Sequence, residues 1–126
     1  MGIKVAIIED DLAIAQMYRM KLEKSGYDVE AAHDGVNGLE LLKVYNPKLV
    51  LLDLMMPEMN GYEVLRKIRK SDWGKDIKVI ILTNVSRDEA PKDLDKLGVE
   101  DYIIKANQTP TQVIETVEKV LAQKNN

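Results

Sequence analysis

Short apolar runs, each too brief for a helix and none alternating with polar residues, recur along the chain. They are Val5-Ala6-Ile7-Ile8, Leu49-Val50-Leu51-Leu52, Val79-Ile80-Ile81-Leu82 and Tyr102-Ile103-Ile104. Continuous runs of this kind are expected of strands covered on both faces, and Asp28 to Ala32 can form a further strand. Between the runs, apolar residues fall three and four apart, as at Leu12, Ala15, Tyr18 and Leu22, at Val36, Leu39 and Leu42, and at Val64, Leu65 and Ile68. Val113, Val117, Val120 and Leu121 mark the last helix, whose Thr109-Pro110-Thr111-Gln112 start combines proline at the first helical position with a capping box. Asn60 to Glu63 has the same cap form, and Gly26 is placed as a left-handed stop. A helix should also follow the strand that ends at Leu82, with Leu94 and Leu97 as core contacts and Gly98 as its stop. Pro91 would sit awkwardly inside it, so the spacing predicts a late or irregular start. Five strands alternating with five helices predict an α/β fold, a doubly wound parallel sheet with right-handed crossovers.

At 126 residues the chain is expected to be one domain, 1–126, with no output domain after its last helix. Absence of cysteine removes disulfides and thiolate metal sites from consideration. The net charge of −3 offers no basic face for nucleic acid. No leader and no stretch long enough to span a membrane is visible, so a soluble cytoplasmic protein is expected. The tail from Gln123 is polar and expected to fray.

The polar residues that close the apolar runs carry the chemistry. The first run ends in Glu9 and Asp10, the third strand in Asp53, the fourth in Thr83 and the fifth in Lys105. In an open parallel sheet these residues all fall at the carboxyl edge, where ligand sites form. Three neighbouring carboxylates repel one another unless a hard cation relieves them, and magnesium, or manganese in its place, suits an all-oxygen site shared with a phosphate. Asp53 could then act as nucleophile toward a phosphoryl donor, with Thr83 and Lys105 neutralising the phosphoryl oxygens.

Glu9-Asp10, Asp53-Leu54-Met55-Met56-Pro57 with Gly61, Thr83-Asn84 and Tyr102-Ile103-Ile104-Lys105, in that order and across essentially the whole chain, resemble the response-regulator receiver domains of two-component signalling. The resemblance implies the CheY-like strand order 2-1-3-4-5 and phosphorylation of Asp53 within a phosphorelay, by a sensor histidine kinase or phosphotransfer protein. It implies direct magnesium ligation by Asp10, Asp53 and the Met55 carbonyl, with Glu9 acting through water. Thr83 and Tyr102 would form the switch. Output would pass to a downstream protein, or a homodimer, through the surface of the fourth helix, fifth strand and fifth helix, with no direct contact to nucleic acid or membrane. Such a domain is a phosphoacceptor rather than an enzyme, catalysing only its own phosphorylation and dephosphorylation.

The chain departs from the pattern at two places. Ala106 stands where proline with a cis bond is usual; a cis bond before a non-proline costs roughly 2.5–4 kcal/mol, so this loop is expected to be trans or strained. Met55, Asn84 and Val85 occupy the positions that tune hydrolysis, and neither Met55 nor Val85 has a side chain able to steer water. Rival readings are an aspartyl-phosphate phosphatase, which wants a second acid at the Met55 position, and a flavin carrier, whose phosphate Glu9-Asp10-Asp11 would repel. A receiver-like scaffold that is never phosphorylated is a further alternative. His33 reads as an exposed turn residue without a second ligand, and Trp73 as a cover for the core edge.

Overall fold

The computed structural model describes residues 2–123; the remainder of the tail expected to fray lies outside the described residues. Strands β1 (Lys4–Ile8), β2 (Asp28–Ala32), β3 (Leu49–Leu52), β4 (Lys78–Thr83) and β5 (Val99–Ile104) form one parallel sheet in the order β2-β1-β3-β4-β5. Helices α1 (Leu12–Lys24), α2 (Gly35–Tyr45), α3 (Gly61–Lys70) and α4 (Pro110–Ala122) supply the α-helical connections and the final layer. Strand residues alternate between two cores. Val5, Ile7, Leu49, Leu51, Ile80, Leu82 and Ile103 meet Ala15, Tyr18 and Leu22 of α1 and Val113, Val117 and Val120 of α4. Ala6, Ile8, Val50, Leu52, Val79 and Ile81 meet Leu42 of α2 and Val64, Leu65 and Ile68 of α3, with Trp73 packed at the edge of this second core. Both faces are therefore covered, which explains why the strands read as unbroken apolar runs.

Local signals set the helix ends. Asp11, Asp34, Asn60 and Thr109 each accept a backbone N–H from their helix's first turn, and the last two complete capping boxes with Glu63 and Gln112. Gly26 has φ 94°, the left-handed conformation its position after α1 requires. The connection between β4 and β5 is helical but takes 3-10 form, as the turns Arg87–Glu89 and Lys92–Leu97. Pro91, with φ −55° and ψ 135°, precedes the second turn as its cap and separates the two. Ser86 and Glu89 have capping-box spacing in the sequence, but Ser86 makes no side-chain cap: its hydroxyl donates to the Glu89 carboxylate at 2.9 Å. The helix expected fifth in sequence is thus α4.

Two things hold the Lys92–Leu97 turn to α3. Tyr62 donates its hydroxyl to Asp93 at 2.7 Å. Arg69 reaches the carbonyls of Leu97 (2.6 Å), Ile77 (2.8 Å), Gly74, Lys75 and Gly98 (3.2 Å each), uniting three chain segments with one planar fork. β5 carries one extra residue where Val79 pairs Val99 and Ile80 pairs Asp101. This bulge reverses the alternation, so that Val99 and Tyr102, three apart, both pack on the second core.

Truncating Arg69 leaves several carbonyls without a donor. Arg69→Ala is expected to lower unfolding stability by roughly 2–3 kcal/mol, read by urea denaturation, and Arg69→Lys should recover only part of it because one ammonium cannot span the set.

Candidate functional site

The sheet ladder itself places the polar residues. Asp53 donates its N–H to the Ile8 carbonyl and Glu9 its N–H to Ala32, each at 3.0 Å, so both continue the hydrogen-bonding pattern one step beyond their strands. Thr83 pairs with Ile104 at the ends of β4 and β5, and Lys105 comes directly after. All these residues therefore leave the sheet at one edge.

Glu9, Asp53 and Thr83 are buried polar residues at 3%, 4% and 0% exposure, which would be costly without partners. The Lys105 ammonium supplies them: it donates to Asp53 Oδ2 at 3.1 Å and makes a close contact with Glu9 Oε1. Asp53 Oδ1 accepts the Met55 N–H at 3.1 Å, and Glu9 Oε2 accepts the Asp11 N–H at 3.1 Å. Asp10 is exposed at the mouth, and carboxylate oxygens of Glu9, Asp10 and Asp53 lie within 4.8 Å of one another, a set that could hold a metal ion. An all-oxygen, acidic donor set fits a hard divalent cation.

Burial pushes the Glu9 carboxyl up to about 7, against the lowering influence of Lys105. For Lys105, burial disfavours the charge, but Glu9 and Asp53 outweigh it and the pKa is raised, so the ammonium stays protonated at neutral pH. A cleft of about 720 Å³ opens over the site, lined among others by Asp10, Met55, Asn84, Val85 and Glu89. The Met55 side chain stands out, 65% exposed. Beneath the cleft, Gly61 lies so close that a Cβ there would fall 2.0 Å from the Asp53 carbonyl oxygen, which explains why the loop from Asp53 must end in glycine.

Thr83 Oγ1 accepts the Val85 N–H at 3.4 Å. Tyr102, half-buried, donates its hydroxyl to the Val85 carbonyl at 2.6 Å, and the Arg87 guanidinium lies 5.2 Å above its ring, within cation–π range. The Lys105–Ala106 bond is trans, and the Ala106 N–H donates to Asn84 Oδ1 at 3.1 Å. His33 is exposed, with Nδ1 3.1 Å from the Glu9 carbonyl.

Residues 5–118 match the model of the response regulator receiver domain. The chain belongs to that family. Response regulator MprA of Mycobacterium ulcerans is 36% identical over 107 residues, 83% of this chain and 44% of its own length. The DNA-binding dual master transcriptional regulator RpaA of Synechocystis is 34% identical over 119 residues, 94% of this chain and 48% of its own. The chain spans less than half the length of these relatives. Chemotaxis protein CheY4 of Vibrio cholerae superposes with a TM-score of 0.86 at 26% identity, over 95% of this chain and 99% of that one. This receiver thus has the CheY-like architecture that its strand order already displays.

Among the described residues, the predicted Glu9, Asp10, Asp53 and Lys105 come together in the cleft, Thr83 lies buried beside them, and Tyr102 reaches the same loop from the second core. Glu89 in the cleft wall and Arg87 over Tyr102 were not anticipated. The Ser86-to-Glu89 pattern marked both only as members of a helix start; their placement results from Pro91 stopping a regular helix.

A carboxyl whose folded value is raised above its ordinary 4.5 favours folding fully below about pH 4.5, and that contribution is lost as pH rises through about 7. Wild type should therefore lose more stability than Glu9→Gln between about pH 5 and about pH 7.5. Urea denaturation at the two pH values reads the difference, and parallel losses would contradict the upward shift of the Glu9 carboxyl by burial.

Proposed function

We propose that this receiver is a phosphorylation-controlled binding module of a two-component phosphorelay, working in the cytoplasm, with Asp53 as phosphoacceptor. The single observation carrying this reading is the convergence of the Glu9-Asp10-Asp53 carboxylates and the Lys105 ammonium at one sheet edge under an open cleft. A sensor histidine kinase or phosphotransfer protein would donate the phosphoryl group: one Asp53 carboxylate oxygen bonds to phosphorus as the donor's bond to it breaks. Asp10, Asp53 and the Met55 carbonyl would hold magnesium, with Glu9 acting through water, and the ion would supply charge neutralisation. Lys105 offers an ammonium already directed at Asp53, and the Thr83 hydroxyl, one bond from Val85, is the neutral donor for a second phosphoryl oxygen.

A phosphoryl group adds about −1.5 to −2 charges at neutral pH. Drawing Thr83 toward it would disturb the Val85 N–H that Thr83 now accepts, and the Val85 carbonyl is what holds Tyr102. The surface of the Lys92–Leu97 turn, β5 and α4 is the output face on this reading, binding a downstream protein or a second copy of the chain. The net charge of −3 argues against direct contact of the domain itself with nucleic acid. A scaffold that is never phosphorylated is the second reading; the trans Lys105–Ala106 bond is the observation in its favour.

Incubation with magnesium and acetyl phosphate should add one phosphoryl mass, absent in Asp53→Ala; no adduct in wild type, or the same adduct in the variant, would overturn the reading. Met55 and Val85 offer attacking water no acid or amide, so the phosphoryl group should persist well beyond seconds. Phosphate release from labelled protein measures this, and loss within seconds would show that another group, Glu89 foremost, steers the water.

A further inference from the structure

Lys105 must keep its ammonium on carboxylates of two other strands while standing on a turn, Lys105–Asn107, that has no side-chain cap of its own. On its N-terminal side the backbone is fixed by the ladder, where Ile104 pairs with Thr83. The same register sends Asn84 and Lys105 out of the sheet side by side. Asn84 Oδ1 then accepts the Ala106 N–H at 3.1 Å. A proline at this position would have no hydrogen to give; alanine has one. Asn84 also lines the cleft together with Asp53 and Lys105.

We propose that Asn84 is a positioning residue for phosphoryl capture: its amide oxygen pins the Ala106 N–H and so holds the turn from which Lys105 reaches Asp53. The long, flexible lysine side chain is only as well placed as its backbone, and Asn84 fixes the side of Lys105 that the sheet leaves free. This rests on the phosphoacceptor reading and deepens it: Asn84 acts on the arrival of the phosphoryl group, not on the water that removes it. Because the hydrogen bond is at the surface, its loss should weaken capture by about five-fold rather than abolish it.

The test is a calorimetric titration of the protein with beryllofluoride in the presence of magnesium. Asn84→Ala and Ala106→Pro, which remove acceptor and donor respectively, should each bind about five-fold more weakly, and the double variant no more weakly than either. Ala106→Gly, which keeps the N–H, should stay near wild type and serves with Asn84→Ala if the proline variant fails to fold. In the free protein, the Ala106 amide should exchange with solvent about five-fold faster in Asn84→Ala. Unchanged capture in Asn84→Ala, losses that add in the double variant, or unchanged amide exchange would overturn the proposal, and a drop in thermal stability alone would reduce Asn84 to a loop stabiliser. Failure of wild type to bind beryllofluoride would instead overturn the phosphoacceptor reading.

Discussion

Two buried carboxylates share one ammonium. Glu9 comes from the end of β1, Asp53 from the end of β3 and Lys105 from the end of β5; ladder hydrogen bonds hold Glu9 and Asp53, and Lys105 directly follows the last ladder pair. Without Lys105, two acids would be buried beside one another with nothing to offset their repulsion, and removing one partner of a buried charge group costs more than the pair contributes. The interaction depends on the β1-β3-β4-β5 part of the strand order, in which β1 and β3 lie adjacent and β5 ends close enough for a long side chain to cross β4. Fold and site are one constraint seen at two scales.

From this charge centre a short chain of contacts leads to the second core. Thr83 accepts the Val85 N–H, and the Val85 carbonyl accepts the Tyr102 hydroxyl. Arg87 covers the Tyr102 ring and pairs with Asp95 of the next turn. That turn is itself held to α3 by Tyr62 and Arg69. Among the described residues, the segment between β4 and β5 is thus tied to α3 at its far end by Tyr62 and Arg69, and at its near end by the single hydrogen bonds of Thr83 and Tyr102 to Val85. Rearranging the near end breaks fewer hydrogen bonds than detaching the far end from α3.

Some of this was legible without coordinates because it depends on local chemistry. Unbroken apolar runs identified β1, β3, β4 and the end of β5, since a two-sided burial leaves no polar face to show. Asn60 and Thr109 announced helix starts because a cap satisfies orphan N–H groups within four residues of itself. Glu9, Asp53, Thr83 and Lys105 stood out because each is the first polar residue after an apolar run. The order of the strands was not local information; it entered through resemblance to known receivers. Pro91 forewarned of an irregular helix, but not that two 3-10 turns would replace it or that Glu89 would face the cleft.

Sequence alone determined which polar residues close the strands and that all would stand at the carboxyl edge, because the direction of a parallel strand is set by the crossover connection that precedes it. Tertiary structure alone decided what surrounds them. The bulge in β5 reverses side-chain alternation and sends Tyr102 to the second core, and nothing in residues 99–102 marks it. Arg69 reads as one more basic residue on a solvated helix until two separate segments present their carbonyls to it. Asn84 and Ala106 are 22 residues apart and ordinary when taken singly; a donor and an acceptor become a tether only where the β4–β5 register brings them within reach. Such contacts depend on the relative placement of distant backbone, which no local pattern encodes.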